Sequence, residues 1–269
     1  MKALFQIAAG SIAGRDHILT GKNNQDALYY TISEHAILAI VCDGCGSGAY
    51  SEVGARLGAR LTAATIAQIL QDTPDAHLQD EDFWDRVYRT LLLQFQALVQ
   101  TMGGDRVQAI RDYFLFTIVG TVITPAGASI FSLGDGCLIL NGQVTEIGPF
   151  PNNAPPYLAY GLLEQTLSFH VHAQIPLAEL HTLLIGTDGV LDLTQVADSP
   201  VPGSTKPVGP ICQFWEQEHY FTNPDRVRRT LALANREVTK PDWQNHQMVK
   251  TAGLLPDDTT LIVIRKQLP

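Results

Sequence analysis

Residues 36–44 read Ala-Ile-Leu-Ala-Ile-Val-Cys-Asp-Gly. Seven apolar residues without a polar break fit a strand buried on both faces, and Asp43-Gly44 ends it with a turn dipeptide. The same ending recurs. Phe131-Ser132-Leu133-Gly134 runs into Asp135-Gly136, and Leu183-Leu184-Ile185-Gly186-Thr187 runs into Asp188-Gly189. Two further acidic points stand at strand starts: Asp257-Asp258 before Thr259–Ile264, and Asp26 before Ala27–Tyr30. A single Asp-Gly is usually a structural turn. Several acids where buried strands meet their loops are a different matter, because packed strands bring their ends together.

Working outward, strands are expected at about 3–9, 27–32, 36–42, 114–123, 127–133, 137–140, 165–171, 181–187 and 259–265. Pro125-Ala126-Gly127 reads as the turn of one hairpin. Asn141-Gly142 reads as the turn of another, since both residues tolerate positive φ. Two helices are expected, at about 50–71 and 81–101. In the first, Leu57, Leu61, Ala64, Ile66 and Ile69 form the apolar side, and Glu52, Arg56 and Arg60 are more exposed. Asp80, Glu81 and Asp82 suit the N-terminus of the second, and Pro74 separates the two. Shorter helices are expected at 211–219 and 224–237, after a Pro/Gly/Ser stretch at 198–210. Hairpins with a helical pair, without alternating βα units, place the chain in the α+β class, with antiparallel sheets covered by helices.

With 269 residues, 45% of them hydrophobic and 17% charged, the chain is a folded globular protein large enough to dispense with disulfide staples. Its 4 cysteines suggest a reducing, cytoplasmic setting. The net charge of -9 and the lack of a basic run speak against nucleic acid as a partner. No apolar run reaches the length of a membrane span. The N-terminal stretch reads as a first strand, because Gln6, Gly10 and Ser11 interrupt any signal-like core.

Carboxylates gathered at one rim repel one another unless a cation neutralises them, and oxygen-only ligands suit Mg²⁺ or Mn²⁺. Glycine after each aspartate lets the backbone come close enough for a carbonyl to join. Two such ions sharing a water are suited to phosphate-ester hydrolysis without a covalent nucleophile.

In chain order, Gly14-Arg15-Asp16-His17, Asn24-Gln25-Asp26-Ala27, Val41-Cys42-Asp43-Gly44-Cys45-Gly46-Ser47-Gly48, Leu133-Gly134-Asp135, Leu184–Val190 and Asp257-Asp258-Thr259-Thr260 resemble the motifs of the metal-dependent PP2C-type serine/threonine protein phosphatases, most closely the compact bacterial branch. The resemblance implies a four-layer αββα sandwich spanning 1–269 as one domain, with a lid or insertion within 193–250. It implies dephosphorylation of phosphoserine and phosphothreonine in substrates of a serine/threonine kinase, by a hydroxide bridging two Mg²⁺ or Mn²⁺ ions. Asp43 would bridge the ions and Gly44 would lend its carbonyl. Asp188 and Asp257 would complete one shell, with Asp258 in place of the family's Asn. Asp135, sharing Asp188, would hold a third, weaker ion, and Asp26 would bond to metal waters. Gly21 stands where the family carries its phosphate-gripping Arg, which leaves Arg15, His17 and Lys22 as candidates. Cys45 stands where some members carry a His, so His17 or a metal-bound water would protonate the leaving group. The flap would be small and centred on 148–160.

Two alternatives remain open on the residues: a phosphoprotein-binding or regulatory module on the same fold, and a hydrolase of small phosphate esters. Cys42-Asp43-Gly44-Cys45 is formally a C-x-x-C, but it straddles a strand end and has no second pair, which favours a packed Cys42 and a loop Cys45. His170 and His172 share a strand face, expected to be solvated. Trp84, Trp215 and Trp243 are expected to be packing residues, and Arg226, Arg228 and Arg229 a solvated helix face.

Overall fold

A computed structural model describes residues 1–73, 77–151 and 154–267. Pro74 and the middle of the Pro-rich connection, Asn152 and Asn153, lie outside the described residues. Two five-stranded antiparallel sheets form the centre. One has β1 (Phe5–Ile12), β12 (Thr259–Lys266), β9 (Thr182–Gly186), β6 (Gly136–Leu140) and β7 (Gln143–Ile147), in that order. The other has β2 (Ala27–Ile32), β3 (Ile37–Cys42), β4 (Ile118–Thr124), β5 (Gly127–Leu133) and β8 (His170–Ile175).

Period-two alternation decides which layer each strand residue joins. Ile37, Ala39 and Val41 of β3 meet Leu183 and Ile185 of β9 and Ile262 and Ile264 of β12 between the sheets. Leu38, Ile40 and Cys42 point the other way, under α2 (Ser51–Asp72) and α3 (Glu81–Met102). Leu184, Leu261 and Val263 point outward under α5 (Gly189–Gln195) and α8 (Arg226–Ala234). The result is the expected four-layer αββα sandwich. Strands buried on both faces explain the unbroken apolar runs.

Both hairpins form, with Asn141 at φ 49° and Gly142 at φ 84° as the β6–β7 turn requires. The remaining differences have local causes. The buried stripe of α2 is Gly54, Ala55, Gly58, Ala59, Thr62 and Ala63, then Ile66 and Ile69. Small residues let the helix lie close on α4 (Arg106–Tyr113) and Phe116, where a Cβ at Gly54 would come within 1.9 Å of the Tyr113 carbonyl. Ala64 is therefore outside that stripe, and Glu52 is buried, accepting from Asn23 Nδ2 at 2.8 Å. The strand expected at 165–171 forms at 170–175, and β4 begins at 118, later than expected. The helices expected at 211–219 and 224–237 are shorter: α6 (Gln213–Glu216), α7 (His219–Thr222) and α8. A hairpin, β10 (Val238–Asp242) and β11 (Gln247–Thr251), follows them. His172 is half-buried and bonded to Ser132 Oγ at 2.8 Å, so the His170/His172 face is not simply solvated. Trp84 packs in the core, whereas Trp243 is 79% exposed.

Candidate metal centre

Strand register assembles the acids. In the second sheet Ala27 pairs with Cys42, which sets Asp26 beside Asp43. In the first sheet Gly186 pairs with both Leu261 and Cys137, so the chain leaves β9 for Asp188 at the rim where it enters β12 from Asp257-Asp258 and β6 from Asp135. Thr259 pairs with Ile12, which puts Gly14 and α1 (Arg15–Thr20) at the same rim. Asp135 sits between Gly134 at φ 103° and Gly136 at φ 145°, a turn that side chains on either neighbour would strain. A Cβ at Gly44 would lie 2.6 Å from the Gln25 carbonyl, so the Asp43 loop is locked against the start of β2.

Burial and mutual repulsion act on these acids together. Burial, then Asp26, Asp188, Asp257 and Asp135, push Asp43 well above the usual carboxylate range. Burial and then Asp258 do the same to Asp26, against a stabilising bond from Thr187. Asp188 is raised by burial and by Asp257, while a shared hydrogen bond with Asp43 pulls the other way. Asp135 is pushed up to about 6 by burial and Asp188. Asp26 Oδ1 and Asp188 Oδ1 are also buried without a hydrogen-bond partner among the described residues. Buried acceptors in that state are costly, and a hard divalent cation or its water satisfies them. These donors are all oxygens, the type Mg²⁺ and Mn²⁺ prefer, but among the described residues the set of three possible ligand atoms that lies within 4.8 Å is His17, Asp257 and Asp258, not Asp43 with Asp188.

Asp257 and Asp258 have opposite surroundings. Asp257 is exposed, and among the described residues its Oδ1 accepts only from the Asp258 amide, at 2.7 Å. Asp258 is 3% exposed and accepts from the Gly14 and Gln25 amides, both at 2.6 Å. His17 Nδ1 lies 2.9 Å from Asp258 Oδ1, and ligand atoms of His17, Asp257 and Asp258 all lie within 4.8 Å of one another. Arg15 is held by Asp16 Oδ1 at 2.9 Å and the Gly253 carbonyl at 3.1 Å. Lys22 Nζ donates to the Gly46 carbonyl at 2.6 Å, on the loop that follows Asp43.

Four contributors were not singled out from sequence. Thr187 Oγ1 donates to Asp26 Oδ2 at 2.8 Å and accepts from the Thr260 amide at 3.1 Å. Ser11, bonded to Thr260 Oγ1 and Asn24, extends this buried chain. Asp192 is raised by burial and by Asp257. Its place four residues after Asp188 on α5 was the available signal, because such a spacing shares a helix face. Tyr157 is buried, and its phenol is pushed up by burial, by Cys45 and by Asp43 and Asp135, so it stands at the rim as a neutral donor. Nothing in its sequence context marks it. Against the upward push of burial, bonds from Ser47, Tyr157 and the Ser47 and Gly48 amides hold the Cys45 thiol below its usual value.

Each raised carboxyl stabilises the fold at low pH and loses that contribution as pH rises through its folded value, about 6 for Asp135. The metal-free chain is thus expected to melt at a lower temperature near about pH 7.5 than near about pH 5, with Mn²⁺ removing most of the difference. Thermal melts in EDTA and in Mn²⁺ check this; equal melting temperatures in EDTA would mean that the acids do not repel.

Residues 13–232 match the protein phosphatase 2C family. No curated protein sequence matches the chain. Among solved structures, a bacterial serine phosphatase is 14% identical with a TM-score of 0.56, over 98% of each chain. The photosystem II phosphatase PBCP is 16% identical with a TM-score of 0.53, over 98% of this chain and 99% of that one. The Mycobacterium tuberculosis serine/threonine phosphatase PstP/Ppp is 14% identical with a TM-score of 0.53, over 98% of this chain and all 100% of its own. At such identities the likeness is one of fold.

Proposed function

The chain belongs to the protein phosphatase 2C family, and from that premise we propose that it hydrolyses phosphoserine and phosphothreonine in proteins with Mg²⁺ or Mn²⁺ held at its acidic rim. The observation that carries this reading is the strand register that brings Asp43, Asp26, Asp188 and Asp135 to one rim, where their charges act on one another and, among the described residues, buried oxygens of Asp26 and Asp188 have no partner. Asp43, the Gly44 carbonyl, Asp188 and Asp257 are the residues that would hold two ions, with Asp135 and Asp188 for a third. When bound, such ions supply Lewis acidity and activate water for attack on phosphorus.

The chain's own groups do the rest. Asp26 is oriented by Thr187 through Oδ2, and its Oδ1, buried without a partner among the described residues, is the atom that would align a water on this reading. Lys22 donates to the loop after Gly44, and Arg15 to the segment leading to Asp257. They are the groups available to hold the substrate phosphate. On this reading His17, half-buried against Asp258, is the proton donor to the departing serine or threonine oxygen. The substrates on this reading are products of a serine/threonine kinase, in the cytoplasm.

The test is phosphate release from p-nitrophenyl phosphate and from phosphoserine and phosphothreonine peptides, with Mn²⁺ or Mg²⁺ and again with EDTA. Turnover that needs the ion is expected. Binding of the phosphopeptides with no turnover under any divalent cation would overturn the reading.

A further inference from the structure

The β10–β11 hairpin lies beyond residue 232, where the family match ends. Among the described residues it forms a sheet of two strands and no more. All five residues of β11 are exposed. The hairpin carries Trp243 at 79%, Met248 at 64% and Val249 at 43% exposure. A two-stranded ribbon is marginal by itself, and proteins normally blunt or cover such edges. Here only one edge is blunted: β10 contains Pro241, which has no amide hydrogen, whereas β11 contains no proline. Lys250, the charge that would guard the β11 edge, is paired with Glu237 at 2.5 Å.

The root of the hairpin is fixed. Asn235 Nδ2 donates to the Ala13 carbonyl at 2.9 Å and its Oδ1 accepts from the Leu255 amide at 3.1 Å. The Leu254 amide bonds to Ala234, and Arg15 bonds to the Gly253 carbonyl. Gly203 packs on Val238 and accepts from Lys240 at 2.7 Å, so the Val238/Lys240 face rests on the loop below it. Thr239, Pro241, Met248 and Lys250 form the opposite face. β11 then runs directly into the segment that carries Asp257, six residues after Thr251.

We propose that this hairpin is a substrate-docking arm that takes an extended stretch of phosphoprotein as a third strand along β11. The inference rests on the phosphatase reading above and adds where the substrate chain lies. Main-chain pairing along a free edge gives affinity with little demand on sequence, and the Trp243 indole and Met248 offer apolar contact. At its root β11 leads into Gly253, whose carbonyl accepts from Arg15, and on to Asp257, so the arm is continuous with the rim. Charge favours the same occupant. From 236 to 250 the chain has Arg236, Lys240 and Lys250 against Glu237 and Asp242, whereas the whole chain carries -9. Three cations against two anions leave this stretch at +1, so an anionic phosphorylated segment meets no net repulsion along the arm.

Because Val238 and Thr251 are cross-strand partners, replacing Thr239–Lys250 by Asn-Gly closes the ladder at its first pair and leaves the root intact. Activity is read with Mn²⁺ on p-nitrophenyl phosphate and on phosphorylated casein, an extended phosphoprotein. The shortened chain should keep kcat/KM on the small ester within about twofold and lose about tenfold or more on casein, through KM. The double variant Trp243→Ala, Met248→Ser, which keeps the hairpin, should lose casein activity in the same direction and serves if the shortened chain does not fold. Casein activity unchanged in both would overturn the docking arm and leave the phosphatase reading standing. A full-length chain inactive on both substrates would overturn that reading and this inference with it. A full-length chain that elutes as a dimer, with the shortened chain a monomer, would assign the edge to a second copy and overturn the proposal.

Discussion

Asp43→Asn is expected to abolish Mn²⁺-dependent hydrolysis of p-nitrophenyl phosphate, by about 10³-fold or more, while raising the melting temperature of the metal-free protein. The two effects have one cause. Asp26, Asp188, Asp257 and Asp135 all act on Asp43, so its charge is opposed by four others at the rim. Asn keeps the shape, removes the charge and can still donate a hydrogen bond to Asp188. Without metal the variant is relieved of strain; with metal it has lost the carboxylate at the centre of the site. Its melting temperature should therefore stop responding to Mn²⁺, whereas the parent's should rise. Calorimetric or dye-monitored melts with and without Mn²⁺, run beside the activity assay, check both halves. Retained turnover, or a parent-like Mn²⁺ response, would refute the placing of Asp43 at the metal centre.

What was legible in the sequence and what was not divide along a physical line. Strands buried on both faces announce themselves as apolar runs, and the residues at their ends are then bound to meet at a rim. That is why Asp43, Asp135 and Asp188 could be singled out before any fold was known. The Asn141-Gly142 turn was legible because its backbone conformation restricts the residues allowed there. Contacts between distant loops have no such local signature. Thr187 bonds to Asp26 across 161 positions, and Tyr157 reaches the rim from a connection with no regular pattern. The β10–β11 hairpin escaped because both of its strands are exposed, so it lacks the alternation by which a half-buried strand is recognised. Helix α2 was placed correctly, but its buried face was misjudged, because close helix packing selects Gly and Ala where hydrophobicity alone looks for Leu and Ile.

Substitution of the neighbouring acids should separate chemistry from architecture. Asp257→Asn is expected to lose about 10²-fold or more in activity with stability changed by no more than about 0.5 kcal/mol. Its carboxylate faces solvent and the rim, and its one internal bond, from the Asp258 amide to Oδ1, survives in Asn. Asp258→Asn should do the reverse. The carboxylate there receives two backbone amides at 2.6 Å, from Gly14 and Gln25, and so ties the start of α1 and the start of β2 to the head of β12. An amide side chain has one acceptor oxygen, and its NH₂ would face a backbone N–H in a buried site. Charged hydrogen bonds are worth about 1.5–3 kcal/mol each, so a loss of roughly 2–4 kcal/mol is expected. At this chain length that lowers the melting temperature by about 4–16 °C. Below its melting temperature the Asp258 variant should retain far more turnover per folded molecule than the Asp257 variant. Should Asp258→Asn fold normally and lose activity while Asp257→Asn works, the acid that reaches the metal is the buried one, and the alignment of this motif is off by a single residue.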